Sequence, residues 1–194
     1  MQLRTLLSLF LAVGLAYGAD WPQFGGPTRD FKAPDTGINK DWGAKPPALL
    51  WKTTMHDDGF AGPCVAAGSL FIIDRDGDND VIKAFELAGG KALWTVPCPD
   101  PGKPNYGYAR STPTYDNGKL YVLGRSGDLR CLDAKSGKEV WTVNVLQKFS
   151  GKLPQWLYAL SPFIDGKLLI VIPGGSANPV ALDKETGAEV WKGD

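Results

Sequence analysis

Four acids at alternate positions, Asp74, Asp76, Asp78 and Asp80, form the densest group of candidate ligands in this 194-residue chain. Alternating carboxylates in a short loop suit calcium, which takes several oxygen ligands at once. The run Asp74-Arg-Asp-Gly-Asp-Asn-Asp80 departs from a calcium loop at two places. Glycine falls at the fourth position rather than the sixth, and the twelfth residue is Phe85 rather than glutamate. The competing reading is an acidic, solvated loop between two strands. A second group is Tyr106-Gly-Tyr108-Ala-Arg110-Ser111, echoed by Trp156-Leu-Tyr158-Ala-Leu-Ser161. Aromatic rings beside arginine at the start of a strand either line a pocket or pack the strand's approach.

Other chemistries find little support. The three cysteines, Cys64, Cys98 and Cys131, include no Cys-x-x-Cys pair, and His56 is the single histidine. A zinc site therefore lacks ligands. Cys64 and Cys98 are a candidate disulfide, and the odd count leaves at least one thiol without an internal partner. Gly25-Gly26 and Gly174-Gly175 precede no helix, so they read as turns rather than phosphate loops. A hydrolase elbow of the Gly-x-Ser-x-Gly type is absent, and His56 sits in a loop without a nucleophile, as a solvated histidine would. Basic and acidic residues number 21 each, so no net charge argues for nucleic acid.

The elements that must carry these residues repeat. Trp51, Trp94, Trp141 and Trp191 follow one another at intervals of 43, 47 and 50 residues. That period fits one four-stranded propeller blade. The residues before the last three match: Ala84-Phe-Glu86-Leu-Ala-Gly-Gly90-Lys-Ala-Leu-Trp94, Cys131-Leu-Asp133-Ala-Lys-Ser136-Gly137-Lys-Glu-Val-Trp141 and Ala181-Leu-Asp183-Lys-Glu-Thr186-Gly187-Ala-Glu-Val-Trp191. A small residue gives room to a neighbouring ring. The acid accepts hydrogen bonds from turn amides. Glycine takes the positive φ of a tight hairpin, and tryptophan closes the hairpin with a large apolar face. Upstream of each motif lies another hairpin, turning at Gly68, at Asp116-Asn117-Gly118 and at Asp165-Gly166. The continuous apolar runs Leu70–Ile73, Leu120–Leu123 and Leu168–Ile172 suit strands covered on both faces. High glycine (24) and proline (15) counts agree with many short strands. The expected class is all-β.

The motif ending at Trp191 resembles the tryptophan-docking repeat of pyrroloquinoline-quinone (PQQ) type β-propellers. It is similar both to quinoprotein alcohol dehydrogenases and to BamB-type assembly propellers. The run Asp20-Trp-Pro-Gln-Phe-Gly-Gly-Pro-Thr-Arg-Asp30 resembles the start of exported PQQ-like repeat proteins. The resemblance implies four-stranded blades at about 60–96, 108–143 and 157–192, within a partial propeller spanning 48–194. It also implies that the tryptophan of each blade packs on its neighbour. Trp51 lacks the upstream motif, so 48–53 is expected as a lone N-terminal strand. Three blades and one strand make an incomplete ring, as in an N-terminal fragment. True dehydrogenases of this likeness hold PQQ over calcium and often carry adjacent cysteines, which this chain lacks.

Residues 1–18 read as an export signal, with Arg4, an apolar run from Leu6 to Ala16, and small residues at Ala16 and Gly18. Cleavage after Gly18 would leave an extended segment, 19–47, before the propeller. The functional expectation is an exported, periplasmic or extracellular binding scaffold. It has no expected cofactor and an undefined protein or small-molecule partner. The alternative is a fragment of a PQQ-dependent dehydrogenase, with PQQ and calcium as its cofactors.

Overall fold

The computed structural model describes residues 18–56, 59–102 and 107–193. Residues 1–17 of the expected export signal at 1–18 lie outside them, as do Tyr106 and Pro104. Among the described residues twelve strands form three antiparallel four-stranded meanders. Blade 1 contains β1 (Cys64–Ala66), β2 (Ser69–Asp76), β3 (Asn79–Glu86) and β4 (Ala92–Pro99). Blade 2 contains β5 (Thr114–Asp116), β6 (Lys119–Leu123), β7 (Asp128–Asp133) and β8 (Glu139–Asn144). Blade 3 contains β9 (Phe163–Asp165), β10 (Leu168–Val171), β11 (Val180–Asp183) and β12 (Glu189–Lys192). One helical turn, α1 (Val145–Lys148), follows β8 and is capped by the Asn144 side chain.

Two apolar cores lie between the sheets, one on each side of blade 2. Phe71, Ile73, Ile82 and Ala84 of blade 1 pack with Leu120, Val122 and Leu132 of blade 2. Tyr121, Leu123 and Leu129 of blade 2 pack with Leu169, Val171, Val180 and Leu182 of blade 3. Blade 2 has a core on each side, so Leu120–Leu123 of β6 are buried on both faces, whereas the apolar residues of β2 in blade 1 and β10 in blade 3 alternate buried with half-buried.

The expected strand at 48–53 does not form: no strand is present there, and Leu49 and Leu50 are 76% and 78% exposed. A strand needs a neighbouring edge to receive its hydrogen bonds, and among the described residues no strand lies beside 48–53 to pair with it. Trp51 instead lies against the face of blade 1.

The three cysteines are free and buried. Cys64 and Cys98 sit on the two opposite edge strands of one sheet. Three strand spacings, roughly 14 Å, separate those edges, beyond the reach of a disulfide. Burial pushes the Cys64 thiol up to about 12 and those of Cys98 and Cys131 up to about 11, so none is a nucleophile near neutrality.

Candidate functional site: an axial cavity between locked blades

The repeated motif builds one contact three times. In each blade the small residue pairs across the ladder with tryptophan: Ala84 with Trp94, Cys131 with Trp141, and Ala181 with Trp191. A register shift follows that pair in every blade, re-aiming the chain into the turn. The turn closes when the glycine amide donates to the acid's carbonyl. That distance is 2.9 Å for Gly90 on Glu86 and 2.8 Å for both Gly137 on Asp133 and Gly187 on Asp183.

Each turn then receives the tryptophan of the preceding unit. Trp51 Nε1 donates to the Leu87 carbonyl at 2.8 Å, Trp94 to Ala134 at 3.0 Å, and Trp141 to Lys184 at 3.1 Å. All three acceptors follow the motif's acid by one residue. A Cβ built on Gly90, Gly137 or Gly187 would lie 2.5, 2.7 or 2.8 Å from the corresponding ring. Glycine is needed there for contact as well as for φ. Trp191 is 40% exposed and is the one motif tryptophan that faces no such turn among the described residues.

The turn acids carry a pH dependence. The Ser136 hydroxyl and amide donate to Asp133 Oδ1 at 2.5 and 2.8 Å, and Thr186 does the same to Asp183 at 2.9 Å through both groups. These bonds hold both carboxyls below the usual carboxylate value. A depressed folded value stabilises the fold above the unfolded value of about 3.9. That contribution disappears as pH falls through the lower folded value. In Asp133→Asn/Asp183→Asn the slope of urea midpoint against pH should flatten below about pH 4. An unchanged slope would contradict this account of the turns.

The four acids do not gather round a cation. Asp74 is fully buried; its Oδ1 accepts the His56 amide at 2.7 Å, and its Oδ2 accepts Lys83 Nζ at 2.5 Å. His56 is therefore tied to Asp74, with Nδ1 3.3 Å from Oδ2, rather than freely solvated. Asp80 pairs instead with Arg75 at 3.0 Å. Asp76 and Asp78 are exposed around Gly77. Residues two apart on one strand share a face, but the register across the turn sets Asp80 opposite Arg75, on the face away from Asp74 and Asp76, so the four carboxylates do not converge on one ion and the calcium-loop reading fails.

Beside that hairpin lies a buried ionic network that sequence reasoning missed. Asp100 accepts from Arg125 Nε, from Arg75 Nη1 at 3.3 Å and from Ser126 Oγ at 2.8 Å. The Arg75 guanidinium lies 3.8 Å above the Tyr108 ring. Burial keeps the Asp80 carboxyl above its ordinary value, outweighing the Arg75 bond. The remaining space is about 20 Å³, room for one water rather than a ligand. A signal was present: Arg75-Asp-Gly-Asp78 and Arg125-Ser-Gly-Asp128 occupy matching hairpins of blades 1 and 2.

The larger opening lies where the chain leads into β1, β5 and β9. A cavity of about 550 Å³ is bounded by Phe60 and Pro63 of blade 1, Arg110 and Thr112 of blade 2, and Leu160, Ser161 and Phe163 of blade 3. Its remaining wall comes from Trp21, Gln23, Phe24, Gly25, Arg29 and Phe31. A neighbouring space of about 420 Å³ shares Phe60, Arg110 and Ala159 and adds Trp156. Of the aromatic constellation noted in the sequence, Arg110, Trp156 and Ser161 line these spaces. Tyr108 and Tyr158 do not: the first lies under Arg75, and the second is buried with its hydroxyl on the Pro173 carbonyl at 2.6 Å.

Comparison with known proteins places this geometry. The profile of the family described as outer membrane protein assembly factor BamB matches residues 77–194. The dehydrogenase subunit of the quinone alcohol dehydrogenase of Komagataeibacter europaeus is 33% identical over 123 residues, covering 58% of this chain and 17% of that protein. Quinohemoprotein alcohol dehydrogenase ADH-IIG of Pseudomonas putida is 26% identical over 145 residues, covering 68% and 19%. The chain thus spans less than a fifth of the length of these curated relatives. The quinohemoprotein alcohol dehydrogenase of Comamonas testosteroni superposes with a TM-score of 0.65 at 25% identity, over 89% of this chain and 27% of that one. Among the described residues no helix is long and apolar enough to cross a membrane. With three repeated blades and a profile match over more than half its length, the chain belongs to the PQQ-type repeat family represented by BamB.

Proposed function

We propose that this chain is part of an exported, non-catalytic binding propeller whose axial cavity receives an apolar, aromatic-sized group of a small molecule or protein. The observation that carries this reading is the lining of the 550 Å³ cavity: rings and aliphatic chains from three blades, with few polar groups. That size and composition suit ligand recognition. The docking residues Ala84, Glu86, Gly90, Trp94, Cys131, Asp133, Gly137, Trp141, Ala181, Asp183, Thr186 and Gly187 act as locks that keep the walls in register, and Trp191 carries the same motif without a turn to dock on among the described residues. Export rests on the N-terminal residues from Arg4 to Gly18.

A second reading, a segment of a PQQ-dependent dehydrogenase, is favoured by the names of the curated relatives. PQQ chemistry would supply oxidation of an alcohol. In that family the cofactor rests on calcium, a hard ion that needs several oxygen donors. The cavity lining offers Gln23, Thr112 and Ser161 beside Arg29 and Arg110, and no carboxylate. Among the described residues no cluster of three acidic, histidine or cysteine ligands occurs. The donor set of this cavity does not fit the calcium–PQQ pair.

Titration with the neutral fluorophore N-phenyl-1-naphthylamine tests the binding reading. Saturable, one-to-one binding is expected, weakened about tenfold by Phe60→Asp, which removes an apolar rim and adds a charge. Non-saturable binding, or affinity indifferent to Phe60→Asp, would overturn it.

A further inference from the structure

One segment closes the inner edge of every blade. Val65, Tyr115 and Ile164 occupy matching places in the inner strands, opposite Leu70, Leu120 and Leu169. The Trp21 amide donates to the Val65 carbonyl at 2.7 Å, and the Val65 amide returns a bond to Trp21 at 2.9 Å. The Tyr115 amide donates to the Pro22 carbonyl at 2.7 Å. Arg29 Nη2 donates to the Ile164 carbonyl at 2.5 Å while its guanidinium lies 3.7 Å above the Phe163 ring.

Between these anchors the loop holds its own shape. The Gly26 amide donates to the Gln23 carbonyl and the Phe31 amide to the Gly25 carbonyl, both at 3.0 Å. Arg29 Nε donates to Gln23 Oε1 at 2.9 Å. Gly25 and Gly26 both take φ of +81°, and a Cβ on Gly26 would lie 2.7 Å from the Trp21 ring. A loop so braced would ordinarily bury its large rings. Phe24 and Phe31 are instead 59% and 65% exposed, meet edge to face at 5.3 Å, and line the axial cavity.

We propose that residues 21–31 are a preorganised wall of the axial site, and that Phe24 and Phe31 select its ligand by presenting an edge-to-face pair to an aromatic group. The segment anchors to all three blades, so the ligand reaches the cavity past Phe60, Arg110 and Trp156, where the two spaces join. This inference rests on the binding reading above. It assigns specificity to a segment that belongs to none of the blades.

The test uses the full chain and N-phenyl-1-naphthylamine. Phe24→Ser/Phe31→Ser should weaken binding at least about tenfold. Its melting temperature should stay close to that of the parent, because both rings are exposed. Phe24→Tyr, which keeps the ring, should retain parental affinity, and Phe24→Leu should lose part of it. If the parent binds and Phe60→Asp weakens binding while the Phe24 and Phe31 variants do not, the wall inference falls and the cavity reading stands. If the parent itself shows no saturable binding, both fall. Should the double variant melt early, the tyrosine and leucine pair decides: equal affinities for Phe24→Tyr and Phe24→Leu would overturn selection by the ring.

Discussion

Replacing Trp141 by alanine is expected to lower the unfolding free energy by about 3–5 kcal/mol, the range for deleting a large packed ring. The ring packs against the core between blades 2 and 3, 6.2 Å from the Tyr121 ring, and lies over Gly187. Its Nε1 bond to the Lys184 carbonyl would be lost as well. Two comparisons make the result specific. Gly187→Ala places a methyl group into the Trp141 ring at a φ of +71°, so it should destabilise by at least about 1 kcal/mol from the other side of the same contact. Trp191→Ala removes the same side chain from a half-exposed position without a facing turn, and should cost less than half as much as Trp141→Ala. Urea denaturation of the three variants measures these effects. Equal losses at Trp141 and Trp191 would show that docking on the turn contributes nothing beyond the ring's own strand.

Arg125→Met is expected to destabilise by a similar amount, about 3–5 kcal/mol, for a different reason. Arg125 is almost fully buried and holds Asp100 with Arg75 and Ser126. Its Nη2 also donates to the Gly102 carbonyl at 2.6 Å. Removing one guanidinium leaves two carboxylates, Asp80 and Asp100, facing one arginine in a space that admits about one water. The cost is that of an uncompensated buried charge rather than of a lost attraction. Arg125→Met/Asp100→Leu should therefore recover much of the loss, since the charge balance is restored and the junction is already lined by Ile73, Ile82 and Val122. A double variant as unstable as the sum of both single variants would contradict the charge argument.

The blades were legible because their signals are local and periodic. An acid, a glycine four residues on and a tryptophan four beyond that fix a hairpin whatever surrounds it, and the structure closes one at each occurrence. Trp51 shows the limit of that reasoning. Its spacing matched the other tryptophans and its ring docks on a turn as those of Trp94 and Trp141 do, but a strand needs a partner strand, and among the described residues none pairs with 48–53. The acid run failed for a related reason: the hairpin register sets Asp80 opposite Arg75 and Asp74 opposite Val81, so Asp74 and Asp80 lie on opposite faces and serve Lys83 and Arg75 instead of one ion. Contacts between distant segments left the weakest trace. Arg29 reaches Ile164 across 135 residues, and nothing in the spacing of either announces the other. The axial cavity shares this character, since its walls come from three strand approaches and one N-terminal loop. The Arg-x-Gly-Asp recurrence in blades 1 and 2 was visible, and it marks the one buried charge network that repetition could have revealed.

Calorimetric titration with PQQ, with and without calcium, tests the central claim most directly when run on a sample that binds N-phenyl-1-naphthylamine. The naphthylamine result establishes that the axial cavity is formed, so the PQQ result then reports on its chemistry. A binding cavity without calcium ligands predicts no calcium-dependent, saturable heat. Saturable PQQ binding that requires calcium would contradict the account and place this chain with the quinoprotein dehydrogenases in activity as well as fold.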